Sequence, residues 1–242
     1  MDKGVDAMNI TIIHGQAHEG STYHIARGFI ENIADDNDTI FEFRVNAMKP
    51  CIGCFNCILR DESLCPHRAQ LTPIVKAMDA SDLIVLASPN YCMGMTGQMK
   101  SFLDHLGYRW MSHRPAKEMF QKVGLCISTA AGMGAKGVTK DLAKHMLFWG
   151  MPTIHRFHWN VSASSWSDVS SDLKLRIAKE TSDLGQKIRK EVGHTHPGPK
   201  SVLLFQVMKM NQKSNTWSEL DRNHWVRNGW LSGTRPWTRI PG

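Results

Sequence analysis

The sequence predicts an α/β domain built on a parallel sheet over residues 8–193, followed by a short linker and a helical C-terminal extension. Three observations point there. Apolar, β-branched runs such as residues 83–87 (LIVLA) have the length and composition of strands buried on both faces. Each run gives way to a loop of glycine or small residues and then to apolar positions at helical spacing, the rhythm of strand, loop, helix. A chain of 242 residues is also long enough to bury one good-sized core and carry an appendage.

The first strand is residues 8–14 (MNITIIH), and residues 15–22 (GQAHEGST) form a glycine-bearing loop into a helix over about 22–34, with Ile25, Phe29, Ile30 and Ile33 on one face. Free N–H groups at that helix start, with the Ser21 and Thr22 hydroxyls beside them, suit an anion. The spacing matches neither G-x-G-x-x-G nor the Walker lysine motif, which disfavours a dinucleotide or nucleoside-triphosphate site of those types. A Ser-Thr cap after glycine is common in α/β proteins, so this loop alone does not decide for phosphate.

Residues 39–44 (TIFEFR) alternate as a second strand. Next comes the most unusual segment, residues 51–66 (CIGCFNCILRDESLCP), with four of the six cysteines. Cys51, Cys54, Cys57 and Cys65 are spaced C-x2-C-x2-C-x7-C. Two-residue gaps let a short loop wrap thiolates around one centre, and a more distant cysteine can close the set. A [4Fe-4S] cluster is the leading ligand. Zinc is less suggested, since structural zinc sites usually bring two separated pairs, and four reduced thiols in a turn remain the plain alternative.

A helix over 70–78 leads to the third strand, 83–87. Residues 88–104 (SPNYCMGMTGQMKSFLD) then form a loop and a helix with Thr96 as N-cap and Met99, Phe102, Leu103 and Leu106 inward. In open α/β sheets ligands bind at the carboxyl ends of strands, so this loop is a site by position. Residues 122–128 form the fourth strand and run into the small, glycine-rich loop Thr129, Ala130, Ala131, Gly132, Met133, Gly134, whose backbone can approach a flat ligand. A helix ending near Gly150, a fifth strand over 153–159 and a helix over 170–192 complete the domain. Lys100 and Asp104 read as a surface ion pair and Cys126 as core.

Residues 194–200 (HTHPGPK) read as a linker and 201–242 as a Trp-rich extension of one or two short helices clamped onto a surface, that of a second subunit included. The net charge of +7 is concentrated there: Lys200, Lys209, Lys213, Arg222, Arg227, Arg235 and Arg239 face only Glu219 and Asp221. No nucleic-acid-binding motif accompanies this charge, so a solvated surface or a dimer contact is the reading, with no nucleic-acid partner. No apolar run is long enough for a membrane span and the N-terminus lacks a signal-peptide core, so a cytoplasmic protein is expected. None of the twelve histidines sits in H-E-x-x-H, no G-x-S-x-G elbow occurs, and no carboxylate pairing suggests glycoside chemistry.

The loops ending the first, third and fourth strands resemble those of the flavodoxin-like NAD(P)H-dependent FMN reductases; with the cysteine segment, the chain is most similar to the iron-sulfur flavoprotein branch. The resemblance covers roughly residues 8–191. Its most specific piece is Ser88-Pro-Asn-Tyr91 with Gly94, Thr96, Met99, Lys100, Phe102 and Asp104, matching S-P-x-Y-x-x-x-x-T-x-x-M-K-x-F-x-D. It implies a flavodoxin-like three-layer sandwich with a five-stranded parallel sheet in the order 2-1-3-4-5. It further implies that Pro89, Asn90, Tyr91, Cys92, Met93 and Gly94 line the isoalloxazine of FMN. Thr129, Ala130, Ala131, Gly132 and Gly134 would approach its other edge, and Gln16, His18, Ser21 and Thr22 would hold the phosphate. The family's first loop usually reads G-S-x-R; here it is Gly15-Gln-Ala-His18, and a histidine, which need not be charged at pH 7, replaces the arginine.

The expected activity is hydride transfer from NAD(P)H to FMN and on to a small-molecule or protein acceptor, in a homodimer or higher homo-oligomer. The flavin carries the chemistry, so binding residues and no catalytic side chain are expected. A ferredoxin-linked electron carrier that binds no nicotinamide is the alternative, and a redox-sensing regulatory module the third reading. The cysteine segment, following the second strand at the same sheet edge, is expected to border the flavin.

Overall fold

Each central strand alternates its side chains between two helical layers, as a pleated strand must. The computed structural model describes residues 7–238; residues 1–6 and Arg239 of the basic tail lie outside them. In chain order the elements are β1 (Asn9–His14), α1 (Ser21–Ile33), β2 (Thr39–Arg44), α2 (Asn56–Leu59), α3 (Arg68–Ala80), β3 (Leu83–Ala87), α4 (Gly97–His105), β4 (Val123–Ala130), α5 (Ala135–Trp149), β5 (Thr153–Asn160), α6 (Ser171–Glu191), α7 (Pro199–Lys213) and α8 (Glu219–Arg227). Ile10 and Ile12 of β1, Val85 of β3 and Leu125 of β4 pack with Ile25 and Phe29 of α1 and Ile177 and Ile188 of α6. Their neighbours Ile13, Ile84, Leu86 and Cys126 pack on the opposite face with Leu71 of α3, Phe102 of α4 and Leu142 of α5. Cys126 is fully buried, its Sγ 3.5 Å from Met146 Sδ, and is core as expected.

The sheet is five-stranded and ordered β2-β1-β3-β4-β5, with every neighbouring pair parallel. This is the expected flavodoxin-like topology. From β1 the chain crosses one way to β2 and then the other way to β3, so a crevice opens beyond the carboxyl ends of β1 and β3.

The C-terminal extension departs from expectation in its first helix. α7 begins at Pro199, inside the stretch read as linker, and is fifteen residues long rather than short. Proline at a first helical position loses no intrahelical hydrogen bond and has its φ already set, so it starts this helix rather than breaking it. The tryptophans clamp onto this chain's own body: Trp225 and Trp230 are fully buried with Phe205, Met111 and Phe120, and Trp237 packs at the edge. Trp217, 60% exposed, stays outside this cluster.

Candidate functional site

Three loops meet at the crevice, held by direct hydrogen bonds. Gly15 N donates to Ala87 O at 2.8 Å, and Thr96 Oγ1 donates to Gly15 O at 2.6 Å, tying the first loop to the third strand and to α4. Gly15 must be glycine for this approach, since a Cβ there would lie 2.7 Å from Thr96 Oγ1 and 2.8 Å from Met99 Cβ. Thr96 also caps α4, accepting from Met99 N, as expected. Asn90 N donates to Thr129 O, Asn90 Nδ2 to Met133 O at 2.9 Å, and Thr22 and Thr129 share a hydroxyl–hydroxyl bond of 2.7 Å. Each loop is thus fastened to another.

Between them lies a cavity of about 340 Å³, within the range of small-molecule sites. Its walls include the expected Gln16, His18, Ser21 and Thr22 on one side and Pro89, Asn90 and Tyr91 on another. Thr129, Ala130 and Ala131 close the third. Cys92, Met93, Gly94, Gly132 and Gly134 do not line it. Cys92 and Met93 form the tip of a two-residue turn, both at positive φ (49° and 65°), closed by the Tyr91–Gly94 pair of hydrogen bonds. That turn points Met93 outward, 64% exposed, beside Tyr91 at 48%. Gly134 instead starts α5 at φ 102°, where a Cβ would meet the Asn90 amide at 2.8 Å, so its role is to let Asn90 pass.

Gly20, Val161, Ala163 and Ser164 also line the cavity and were not foreseen. Val161 and Ser162 N–H groups continue the sheet by bonding Ala130 O and Ala131 O. The available signal was positional: β5 is parallel, so the loop after it must open at the same edge as the other three.

The residues fit a phosphate-bearing planar ligand. Gln16 is 4% exposed, and neither its Oε1 nor its Nε2 has a hydrogen-bond partner; Asn90 Oδ1 is likewise unpartnered. Buried polar atoms of this kind mark where a ligand's donors and acceptors belong. The start of α1 has no side-chain cap and no acidic residue in its first turn, so its N–H groups and positive dipole end stay available to an anion. Among the described residues that line the cavity, no lysine or arginine takes the place of the arginine absent from position 18. Arg44, from the end of β2, donates to Ala17 O at 2.7 Å but spends its charge on Glu19 at 2.6 Å, whose carboxyl this hydrogen bond holds below the usual range.

The cysteine loop forms a second centre. Cys51 and Cys54 are exposed, and Cys57 and Cys65 half-buried. Burial, and next the nearby Cys65, Cys51 and Cys54, push the Cys57 thiol up to about 11. Among the described residues no three His, Cys, Asp or Glu side chains converge as metal ligands. The donor set nevertheless suits a thiophilic centre: four soft sulfur donors whose mutual repulsion as thiolates a cationic iron core would relieve. The loop contacts the last turn of α4. His105, at the last turn of α4, has Nε2 2.8 Å from Lys49 O and Nδ1 3.9 Å from Cys65 Sγ. No cysteine of the loop lines the cavity; the loop meets α4 at His105, in that helix's last turn.

A doubly wound parallel sheet in the order 2-1-3-4-5, with an uncapped first helix and a cavity at the carboxyl ends of its strands, defines a flavodoxin-like fold. The family model for NADPH-dependent FMN reductase matches residues 8–165, and the chain belongs to that family, one of flavoprotein oxidoreductases. An iron-sulfur flavoprotein of Methanocaldococcus jannaschii is 28% identical over 188 residues, 72% of this chain and 91% of that one. Another, of Archaeoglobus fulgidus, is 32% identical over 140 residues; this match spans 57% of the present chain and 58% of the relative. Among solved structures, an FMN-dependent NADH-azoreductase from Bacillus anthracis in complex with FMN superposes with a TM-score of 0.56 at 11% identity, covering 74% of this chain and 99% of that one. The apo form of an NADH:FMN oxidoreductase gives 0.55 at 20% identity, covering 81% and 94%. These structural likenesses share the fold.

Proposed function

We propose that this chain binds FMN in the 340 Å³ cavity, takes hydride from NAD(P)H and passes the electrons to a small-molecule or protein acceptor, with a [4Fe-4S] cluster on Cys51, Cys54, Cys57 and Cys65. The observation that carries the proposal is the fully buried, unpartnered Gln16 amide in a cavity walled by three fastened loops. When bound, FMN supplies the redox chemistry, accepting a hydride equivalent and returning the electrons. The chain supplies position. N–H groups of Ser21 and Thr22 and their hydroxyls hold the phosphate; Gln16 and Asn90 hydrogen-bond polar edges; Pro89 to Tyr91 and Thr129 to Ala131 flank the ring. The exposed Tyr91 and Met93 offer a rim on which a nicotinamide can lie.

The relatives' printed name, iron-sulfur flavoprotein, supports the cluster, as does the four-sulfur donor set. A second reading, an electron carrier reduced by a protein and not by a nicotinamide, is favoured by the exposed Ile52, Phe55 and Leu59 around the cysteines, which present that loop to a protein partner. Anaerobic titration decides between them. Bleaching of the yellow protein by NADPH or NADH supports the first, and bleaching only by reduced ferredoxin supports the second. A colourless protein that takes up no added FMN overturns both.

A further inference from the structure

The family match ends at residue 165, and the flavin cavity explains nothing about α7 and α8. These helices grip one segment, residues 112–115, through its carbonyls. Gln212 Nε2 donates to Ser112 O at 2.7 Å, Trp225 Nε1 to His113 O at 2.8 Å, and His224 Nε2 bonds Pro115 O at 2.9 Å. In the same segment stands Arg114, with only 9% of its side chain exposed.

Arg114 bridges two elements that are far apart in sequence. One nitrogen pairs with Asp221, a carboxylate in the first turn of α8 that is 1% exposed and whose second oxygen lies 2.7 Å from His113 Nδ1. The guanidinium also donates to the carbonyls of Cys57 and, at 3.2 Å, Ile58, and approaches Glu62 at 3.4 Å. Those carbonyls belong to α2, a single turn whose acceptors have few helical partners. A planar fork with five donors suits this task, and a buried carboxylate beside it keeps the fork from swinging out to solvent.

We propose that the C-terminal extension is a clasp for the four-cysteine loop. Asp221 locks Arg114, and Arg114 is the positioning residue that fixes α2, hence Cys57 and the spacing from Cys54 to Cys65. The consequence for iron rests on the reading of this loop as a cluster site; the clasp itself does not.

The test uses the full chain with Arg114→Lys and Asp221→Asn, and Gln212→Ala as a control that removes a tail hydrogen bond without touching Arg114. Hydrogen exchange of amides 56–65 and the rate at which Ellman's reagent modifies the loop thiols are measured on iron-free protein. Iron and sulfide per chain, and FMN affinity, are measured separately. Both clasp variants are expected to raise loop exchange and thiol rates on the order of ten-fold, the effect of a lost charge-assisted hydrogen bond. They lower iron content and leave FMN affinity near wild type. Gln212→Ala keeps wild-type loop rates. Unchanged loop rates in both folded clasp variants overturn the proposal, as does equal loosening by Gln212→Ala. A wild type that takes up no iron, with loop rates still raised in the variants, overturns the cluster reading and leaves the clasp standing.

Discussion

Gln16 is where a single side chain bears most directly on the cofactor, because its amide is buried with no protein partner. Replacing it with alanine removes one neutral hydrogen-bonding group, so FMN affinity falls by roughly five- to ten-fold, about 1–1.4 kcal/mol, in a fluorescence titration. Gly134→Ala acts differently. It forces a side chain into φ 102° and against the Asn90 amide, and costs about 1–3 kcal/mol of stability by urea unfolding. His145 offers a pH test. Burial, reinforced by Lys100, lowers its pKa from the usual 6.5 to about 4. The unfolded chain therefore binds the proton first on acidification, and stability present above pH 6.5 is lost as pH falls toward 4. His145→Gln flattens that part of the stability curve, measured by denaturation at a series of pH values. At this scale the cavity lining was largely legible, because the Ser88-Pro-Asn-Tyr91 pattern and the first loop announce themselves by residue type. Val161, Ala163 and Ser164 were not, since small residues after a strand look like any turn until the strand's direction is known.

Among the elements, α4 joins the two halves of the site. Its cap Thr96 holds Met99 N and Gly15 O at once, so Thr96→Val loses a cap and strands a buried carbonyl. The expected cost is about 1–2 kcal/mol by chemical denaturation, with weaker FMN binding because Gln16 follows Gly15. Strands and helices of the sheet were readable from periodicity because each has one or two apolar faces to bury. α7 was not, and the reason is physical. Its apolar residues lie on several sides, with Phe205 buried but Leu203 and Met210 exposed, and its proline and preceding glycine carry the same letters as a linker. The clasp on α2 was beyond sequence reasoning, since nothing in the spacing of Arg114 and Asp221 connects them.

At the scale of the molecule one helix, with its cap, touches both the first loop and the cysteine loop, through Thr96 and His105. From Thr96, beside the first loop, to His105, beside Cys65, α4 rises over nine residues, roughly 13 Å along its axis. The proposed flavin and cluster sites therefore share an element but no lining residue, and residues with no shared partner couple weakly in free energy. Replacing Cys51, Cys54, Cys57 and Cys65 together with alanine should thus leave FMN affinity within about two-fold of wild type while abolishing iron uptake. On the proposed function, flavin bleaching by a nicotinamide would persist in that variant, the donor approaching at the exposed Tyr91, whereas electron delivery to an acceptor that docks on the cysteine loop would stop. Loss of FMN binding in the four-alanine protein, with its circular dichroism unchanged, would show instead that the cysteine loop shapes the cavity through α4 and that the two centres form one site.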